Sequence, residues 1–434
     1  MPIIIIAILL LIIAFLLNKV MRSGNTGAPV AGRTMLAVEA APAEVELVFL
    51  ADGNLFHQAA GGTLQQIHSP YIQEVADKEA KSRERNAWKK GTTFEVAAHR
   101  GMRDFDPDRS SIVTTSVLFD QNGTLLYFLS DKTMGGLFAY DVAKRQEKRI
   151  MHRQGMVLTD MAFNPISKKI IASAYLSNGA ANLALFDSAG DGYKELTGGD
   201  TVDAAPVPVP GEAQQFIYQS YGIARHAGGA ILAYSHSTLQ MLDLQSGEIS
   251  AVADDARFDF ISPKFDRRGN LLFIRRPYEA PRYAPESLLK DTLLFPFRLL
   301  RAVFHYLNFF SIMYSRKPLT SASGPAMQAD IKEIMLKGKR INAEKALRRE
   351  GQVQGVASLV PQSWQLVCRT RQGQEQVLAG HVASFDVAAD GQIVYSNGRA
   401  VFALAEDGAS SLILKSDLIS DVFARQDLGL TLGD

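Results

Sequence analysis

From residue 45 onward, short apolar runs alternate with compact polar turns, a rhythm that predicts β-strands rather than helices. Five segments share one order: a bulky residue, small or polar residues, a turn, then an apolar strand. They are FDQNG at 119–123 before LLYFLSD, FNP at 163–165 before KKIIASAY, and PVPVPG at 206–211 before QQFIYQSY. PKFDRRG at 263–269 precedes NLLFIRRPY, and VAADG at 387–391 precedes QIVYSN. Most units continue with a third strand ending in aliphatic-Asp, such as GLFAYDV at 136–142, NLALFDS at 182–188 and LQMLDL at 239–244. A fourth strand (KRIM, KELT or ISAV) completes each unit.

The bulky anchors recur at 119, 163, 208, 265 and 387, so the first two spacings are 44 and 45 residues and the last is 122. Four short strands at a period near 40–45 predict propeller blades, and the long gap predicts an insertion of about 75 residues. Asn-Gly and Asp-Gly tolerate positive φ and therefore mark hairpin turns, a fold signal and not a catalytic one. At the ends, 45–50, 54–59 and 64–68 read as three strands without a first, and LISDVFAR at 418–425 reads as a first strand without successors. Joined, they predict an all-β, six-bladed propeller spanning 45–434 and closed by N- and C-terminal strands, which removes two exposed sheet edges.

These units resemble the WD40-like (PD40) repeats of the TolB-type six-bladed β-propeller, whose pattern is close to D-x-x-P-x-W-S-P-D-G. Asp203 to Pro206 matches its opening and Pro263 to Gly269 its end, although no Trp fills the strand position. The resemblance covers roughly 45–280 and 356–425. It implies the fold far more strongly than an activity, because such repeats occur in binding proteins, prolyl oligopeptidases and sugar or lactone enzymes.

Two segments break the strand rhythm. Ile3 to Leu17 is fifteen apolar residues without interruption, and extension through Met21 brings it to the lower limit of a bilayer-spanning helix. Residues 1–21 therefore predict a transmembrane anchor and 22–44, rich in Gly, Ala, Pro and Thr, a flexible tether; a cleaved signal peptide is the competing reading. Lys19 and Arg22 follow the apolar run directly, so the positive-inside rule places the propeller in the cytoplasm of an inner-membrane protein, with a periplasmic location as the alternative. Charge shows the second segment. The whole chain is nearly neutral, with 46 Lys and Arg against 45 Asp and Glu. Residues 279–355 hold thirteen basic and seven acidic residues, a net +6 against −5 for the remainder.

Within this basic insertion, 287–315 carries a narrow polar stripe (Arg298, Arg301, His305, Asn308) beside a wide apolar face. Phe297, Arg298, Leu300, Arg301, Phe304, Phe309 and Phe310 are its expected membrane contacts, on a helix lying in the interface. Packing on its own domain or on a protein partner would serve the same face. Residues 329–350 predict two short basic amphipathic helices around Gly338, and Tyr71 to Gly91 a charged, solvated helix with a Glu74–Lys78 pair.

Catalytic signatures are scarce. The near-zero net charge gives no basis for nucleic-acid binding, and one cysteine, Cys368, excludes an internal disulfide. Neither a Gly-x-Ser-x-Gly elbow nor a Walker A or His-Glu-x-x-His segment occurs. Asp104, Asp106 and Asp108 have calcium-loop spacing but lack the glycine and glutamate that such a loop needs. His226 and His236 flank a hairpin. No metal or cofactor site is expected. Asp160, Asp203 and Asp259 open first strands, where they either bind backbone amides between blades or form an acidic channel mouth for a cation or basic peptide. The sequence reads as a membrane-anchored propeller binding a protein partner on one face. A propeller enzyme acting on a sugar, lactone or peptide derivative in the central funnel is the alternative.

Overall fold

The computed structural model describes residues 39–40, 45–86, 112–131, 134–279, 333–416 and 418–425. The N-terminal apolar run, Asp104, Asp106, Asp108, residue 417 and the whole of 287–315 lie outside them. So does the tether apart from Glu39–Ala40, which form a paired strand rather than flexible chain. Among the described residues, no helix is long and apolar enough to cross a membrane.

A short strand β1 (Glu39–Ala40) comes first and joins the last sheet, Glu39 pairing with Lys415 and Ala40 with Leu414. The first sheet combines β2 (Leu47–Ala51), β3 (Asn54–Gln58) and β4 (Leu64–Ile67) with the C-terminal β30 (Ile419–Ala424), in the order β30-β2-β3-β4. Helix α1 (Pro70–Asn86) follows. The second sheet is the meander β5 (Val113–Phe119), β6 (Leu125–Ser130), β7 (Met134–Asp141) and β8 (Gln146–Gln154). The third holds β9 (Val157–Asn164), β10 (Lys169–Tyr175), β11 (Ala181–Asp187) and β12 (Lys194–Glu195).

The fourth holds β13 (Thr201–Pro208), β14 (Gln215–Arg225), β16 (Thr238–Asp243) and β17 (Ile249–Ala253), with β15 (Ile231–Tyr234) paired to the far end of β14. A single parallel pair, Ala181 with Val202, links it to the third. The fifth is β18 (Phe258–Phe265), β19 (Leu271–Pro277), β24 (Gln365–Arg369) and β25 (Glu375–Ala379). The last is β26 (Ser384–Val387), β27 (Ile393–Ser396), β28 (Ala400–Leu404) and β29 (Ser410–Lys415).

Burial explains the repeat. Middle strands lie between neighbouring sheets and are apolar on both faces, as in Leu125–Ser130, where all six residues are buried. Outer strands such as β8 are mostly exposed, and only Met151 is buried there. Between strands, an aspartate folds the turn onto itself: Asp120 Oδ1 accepts the N–H of Asn122 and of Thr124, each at 2.8 Å. Gly123 supplies the positive φ of 74° that the same turn demands. Inner strands pack side by side, β5 on β9, β9 on β13, β13 on β18, β18 on β26 and β26 on β30. The arrangement is a β-propeller.

Sheets one and six meet over Phe49, Phe56 and Val422 on one side and Val394, Val401 and Leu414 on the other. Polar bonds reinforce the strand joined from the two ends of the chain. Arg425 donates to Glu46 Oε2 at 2.8 Å, and its N–H to the Glu46 carbonyl at 3.0 Å. His57 Nε2 contacts Glu46 Oε1 at 2.8 Å. The hydrogen bond with His57, ahead of the pull of Arg425, holds the Glu46 carboxyl below its ordinary value of 4.5. A carboxylate whose folded pKa is depressed stabilises the fold above its unfolded pKa, and that contribution is lost as pH falls through the folded value. The unfolding midpoint should therefore drop between about pH 5 and pH 3. Glu46→Gln should flatten that slope in a pH series of chemical denaturations; an unchanged slope would contradict the assignment.

Helix α1 forms where the sequence predicts it, with Pro70 in the first turn and the Ser69 hydroxyl accepting the N–H of Ile72 at 3.3 Å. Glu74 and Lys78 pair at 2.5 Å. One face is docked rather than solvated, since Tyr71, Ile72 and Val75 pack on the core between sheets one and two. Glu147 of β8 pins its start, accepting from the Ser69 hydroxyl, the Tyr71 N–H and the Tyr127 hydroxyl.

The insertion interrupts sheet five between its second and third strands, and β19 pairs directly with β24 across it. Its described part departs from the two helices expected over 329–350. β20 (Glu333–Leu336) and β21 (Lys339–Asn342) form a hairpin, and only α2 (Ala343–Arg349) is helical. A small second hairpin, β22 (Gln352–Val353) with β23 (Val356–Ala357), follows. The cause is the turn: Lys337 (φ 45°) and Gly338 (φ 74°) both sit in the left-handed region that a two-residue hairpin requires. Leu336 is then buried with Leu359, Val360 and Trp364.

Candidate functional site

The inner strands β5, β9, β13, β18, β26 and β30 all line one channel, with a cavity of about 790 Å³. That volume lies within the range of small-molecule and peptide sites. Strands β9, β13 and β18 each carry a register irregularity as they pass it. At each irregularity a non-glycine residue takes a left-handed conformation: Asp160 (φ 48°), Ala205 (φ 49°) and Ser262 (φ 54°). Such bulges turn a side chain out of the ladder. Pro206 and Pro263 follow directly; an inner strand's channel-facing edge needs no ladder donor, so proline is tolerated there.

The three aspartates singled out in the sequence are not equivalent. Asp160 occupies the bulge and lines the cavity, where its Oδ2 accepts from the Thr159 hydroxyl at 3.0 Å. Asp203 is buried and accepts from the Ser220 hydroxyl of its own sheet at 2.7 Å. Asp259 is also buried; its Oδ1 accepts the N–H of Ser237 at 3.1 Å in the preceding sheet, and its Oδ2 pairs with Arg276 Nε at 3.0 Å. Asp203 and Asp259 are absent from the channel wall described here.

Four further carboxylates line it, Glu212 and Asp266 on the turns after β13 and β18, and Asp386 and Asp421 on inner strands. Asp386 of β26 accepts the Ala424 N–H at 2.9 Å and pairs with Lys264 of β18 at 2.8 Å, tying sheet six to both neighbours. Asp421 of β30 pairs with Lys337 at the hairpin tip. Burial pushes the Asp421 carboxyl up, against the pull of Lys337. Burial alone would lower the Lys337 ammonium, but Asp421 and Asp160 outweigh it and hold it above its ordinary value. Both aspartates sit in short aliphatic first strands, SFDV and ISDV, which is the signal that could have marked them. Their cations could not be inferred, because Lys337 and Asp421 are 84 residues apart.

His236 pairs with Asp254 at 2.8 Å at the surface, and His226 accepts the Gly228 N–H in its own turn. Cys368 is partly buried on β24, where burial raises its thiol. Among the described residues, no three His, Cys, Asp or Glu side chains are grouped to hold a metal ion.

No protein-family model and no curated protein matches the chain. Among solved structures, it is similar to TolB from Acinetobacter baumannii with a TM-score of 0.44 and 10% identity, over 88% of this chain and 65% of that one. The chain thus spans just under two thirds of that TolB. It is similar to a nidogen/laminin complex chain with a TM-score of 0.46 and 7% identity, over 88% and 99% of the two chains. For the tricorn protease the TM-score is 0.39 and the identity 10%, over 91% of this chain and 37% of that one.

Proposed function

We propose that the protein is a six-bladed ring, closed by β30 on β2, that serves as a non-catalytic protein-binding or assembly platform at a membrane surface. The observation that carries the reading is an apolar cluster on the turns between second and third strands of sheets three and four. Leu176, Ile231, Leu232 and Tyr234 are 38, 37, 50 and 44% exposed. The two turns approach one another, since a β-carbon on Gly179 would stand 2.8 Å from Ile231 Cδ1. Exposed apolar side chains gathered on adjacent turns favour protein contact. The channel charges support the same reading, since Asp386 is engaged by Lys264 in a bond between two sheets.

Leu232→Asp should abolish recovery of the partner in a crosslinked pull-down from membranes while leaving the melting temperature within about 2 °C. Undiminished recovery would sink the platform reading. Membrane attachment is proposed through residues 1–21 and 287–315, two attachments that together lengthen residence. Deleting 287–315 from a chain already lacking 1–21 should reduce flotation with anionic vesicles; equal flotation would remove the interfacial contact. The propeller-enzyme reading draws support from the channel volume and from Asp160, which has no ion-pair partner among the described residues. A stoichiometric divalent metal in the purified protein would favour it.

A further inference from the structure

We infer that the channel mouth bounded by Asp160 and Asp421 is a recognition site for a lysine side chain of a partner segment, held in this structure by the chain's own Lys337. The inference rests on the platform reading and names the chemistry of the contact. Lys337 is the one residue of the insertion among the described residues that line the cavity. It enters not as part of a wall strand but as the tip of a hairpin, and its ammonium pairs with Asp421. The two side chains remain 18% and 29% exposed, so the pair faces the channel and is not sealed in the core.

The turn itself argues that the lysine is there for its charge. Position one of a two-residue hairpin turn favours Asn, Asp or Gly, and a lysine at φ 45° is unfavourable there. The ion pair offsets that cost. The carboxylates do not depend on the plug for their placement: Asp421 is fixed by β30, paired with Leu50, and Asp160 by the bulge of β9. Removing the ammonium would leave Asp160 and Asp421 with Lys264 as the other lining lysine, itself paired with Asp386, and an incoming lysine ammonium restores the pairing. Outside the channel the hairpin is held by Leu336, buried against Leu359, Val360 and Trp364, by Arg276 to the Lys337 carbonyl at 2.9 Å and by Lys339 to the Pro277 carbonyl at 3.0 Å. The structure is therefore the self-occupied form, and the partner competes with Lys337 for one site.

The test uses the full chain and an acetylated, amidated Gly-Lys-Gly peptide, with Gly-norleucine-Gly as the uncharged control. Lys337→Ala should bind the lysine peptide saturably in calorimetry, at least about tenfold more tightly than the unaltered protein does and tenfold more tightly than it binds the control. Adding Asp421→Asn should abolish the difference. Equal binding of both peptides, or binding unaffected by Asp421→Asn, would overturn the inference. Should Lys337→Ala not fold, Lys337→Met keeps the aliphatic stem, and the lysine peptide should raise its melting temperature where the control does not. No such shift would equally overturn it. Loss of the Leu232-dependent pull-down, by contrast, tests the platform alone.

Discussion

Replacing Arg276 with methionine is expected to destabilise the fold by about 3–5 kcal/mol, the cost of leaving one partner of a buried ion pair without the other. Arg276 and Asp259 side chains are only 8% and 7% exposed, and Nε meets Oδ2 at 3.0 Å. The guanidinium also lies over the Trp364 ring at 4.6 Å and donates to the Lys337 carbonyl. Burial pulls its pKa down and the Asp259 charge opposes that pull. In Arg276→Met, Asp259 would keep the Ser237 N–H as a neutral donor, too little for a charge removed from water.

Adding Asp259→Asn should return part of the loss, because the stranded charge disappears with its partner. Arg276→Lys should recover less than full stability, since lysine lacks the planar fork that pairs and stacks at once. Urea denaturation of the three variants measures all of this. A loss below about 1 kcal/mol in Arg276→Met would show that the pair is not a support of the insertion.

The same residues show what the sequence discloses. Strand positions were legible because middle strands buried on both faces leave continuous apolar runs, and turns because Gly123 tolerates its φ of 74° and Asp120 bonds the turn's own N–H groups. Residues 418–425 could be read as a strand for one reason: LISDVFAR has the short, largely apolar make-up of the other first strands. The β20–β21 hairpin was illegible. IKEIMLKGKRINAEKALRRE is rich in helix formers, and a lysine in the left-handed region contradicts its propensity; only tertiary partners, Asp421 and Arg276, explain it. Asp160 could be placed near the channel, yet its difference from Asp203 and Asp259 arises from bulges, and one residue of register decides which side chain faces inward. Ion pairs across the ring were hidden because each joins segments remote in sequence.

Removal of residues 418–434 is the second change with a large expected effect: the chain should lose its cooperative unfolding transition. Ile419, Val422 and Ala424 are at most 3% exposed, and burial of the first two alone contributes roughly 1.5–3 kcal/mol each. With β30 absent, β2 loses its ladder from Leu47 to Ala51, Asp386 loses the Ala424 N–H, Glu46 loses Arg425, and Lys337 loses Asp421. Against a typical net stability of about 5–15 kcal/mol, losses at four separate points around one sheet exceed what the domain can absorb. The bared edge of β2, apolar on both faces, would in addition template association between chains. A synthetic peptide of residues 418–425 should restore part of the transition in a concentration-dependent way, because it supplies the strand as a ligand of the folded state alone. A truncated protein that melts cooperatively near the full-length temperature would show that the remaining sheets hold without it, and the closed ring would have to be abandoned.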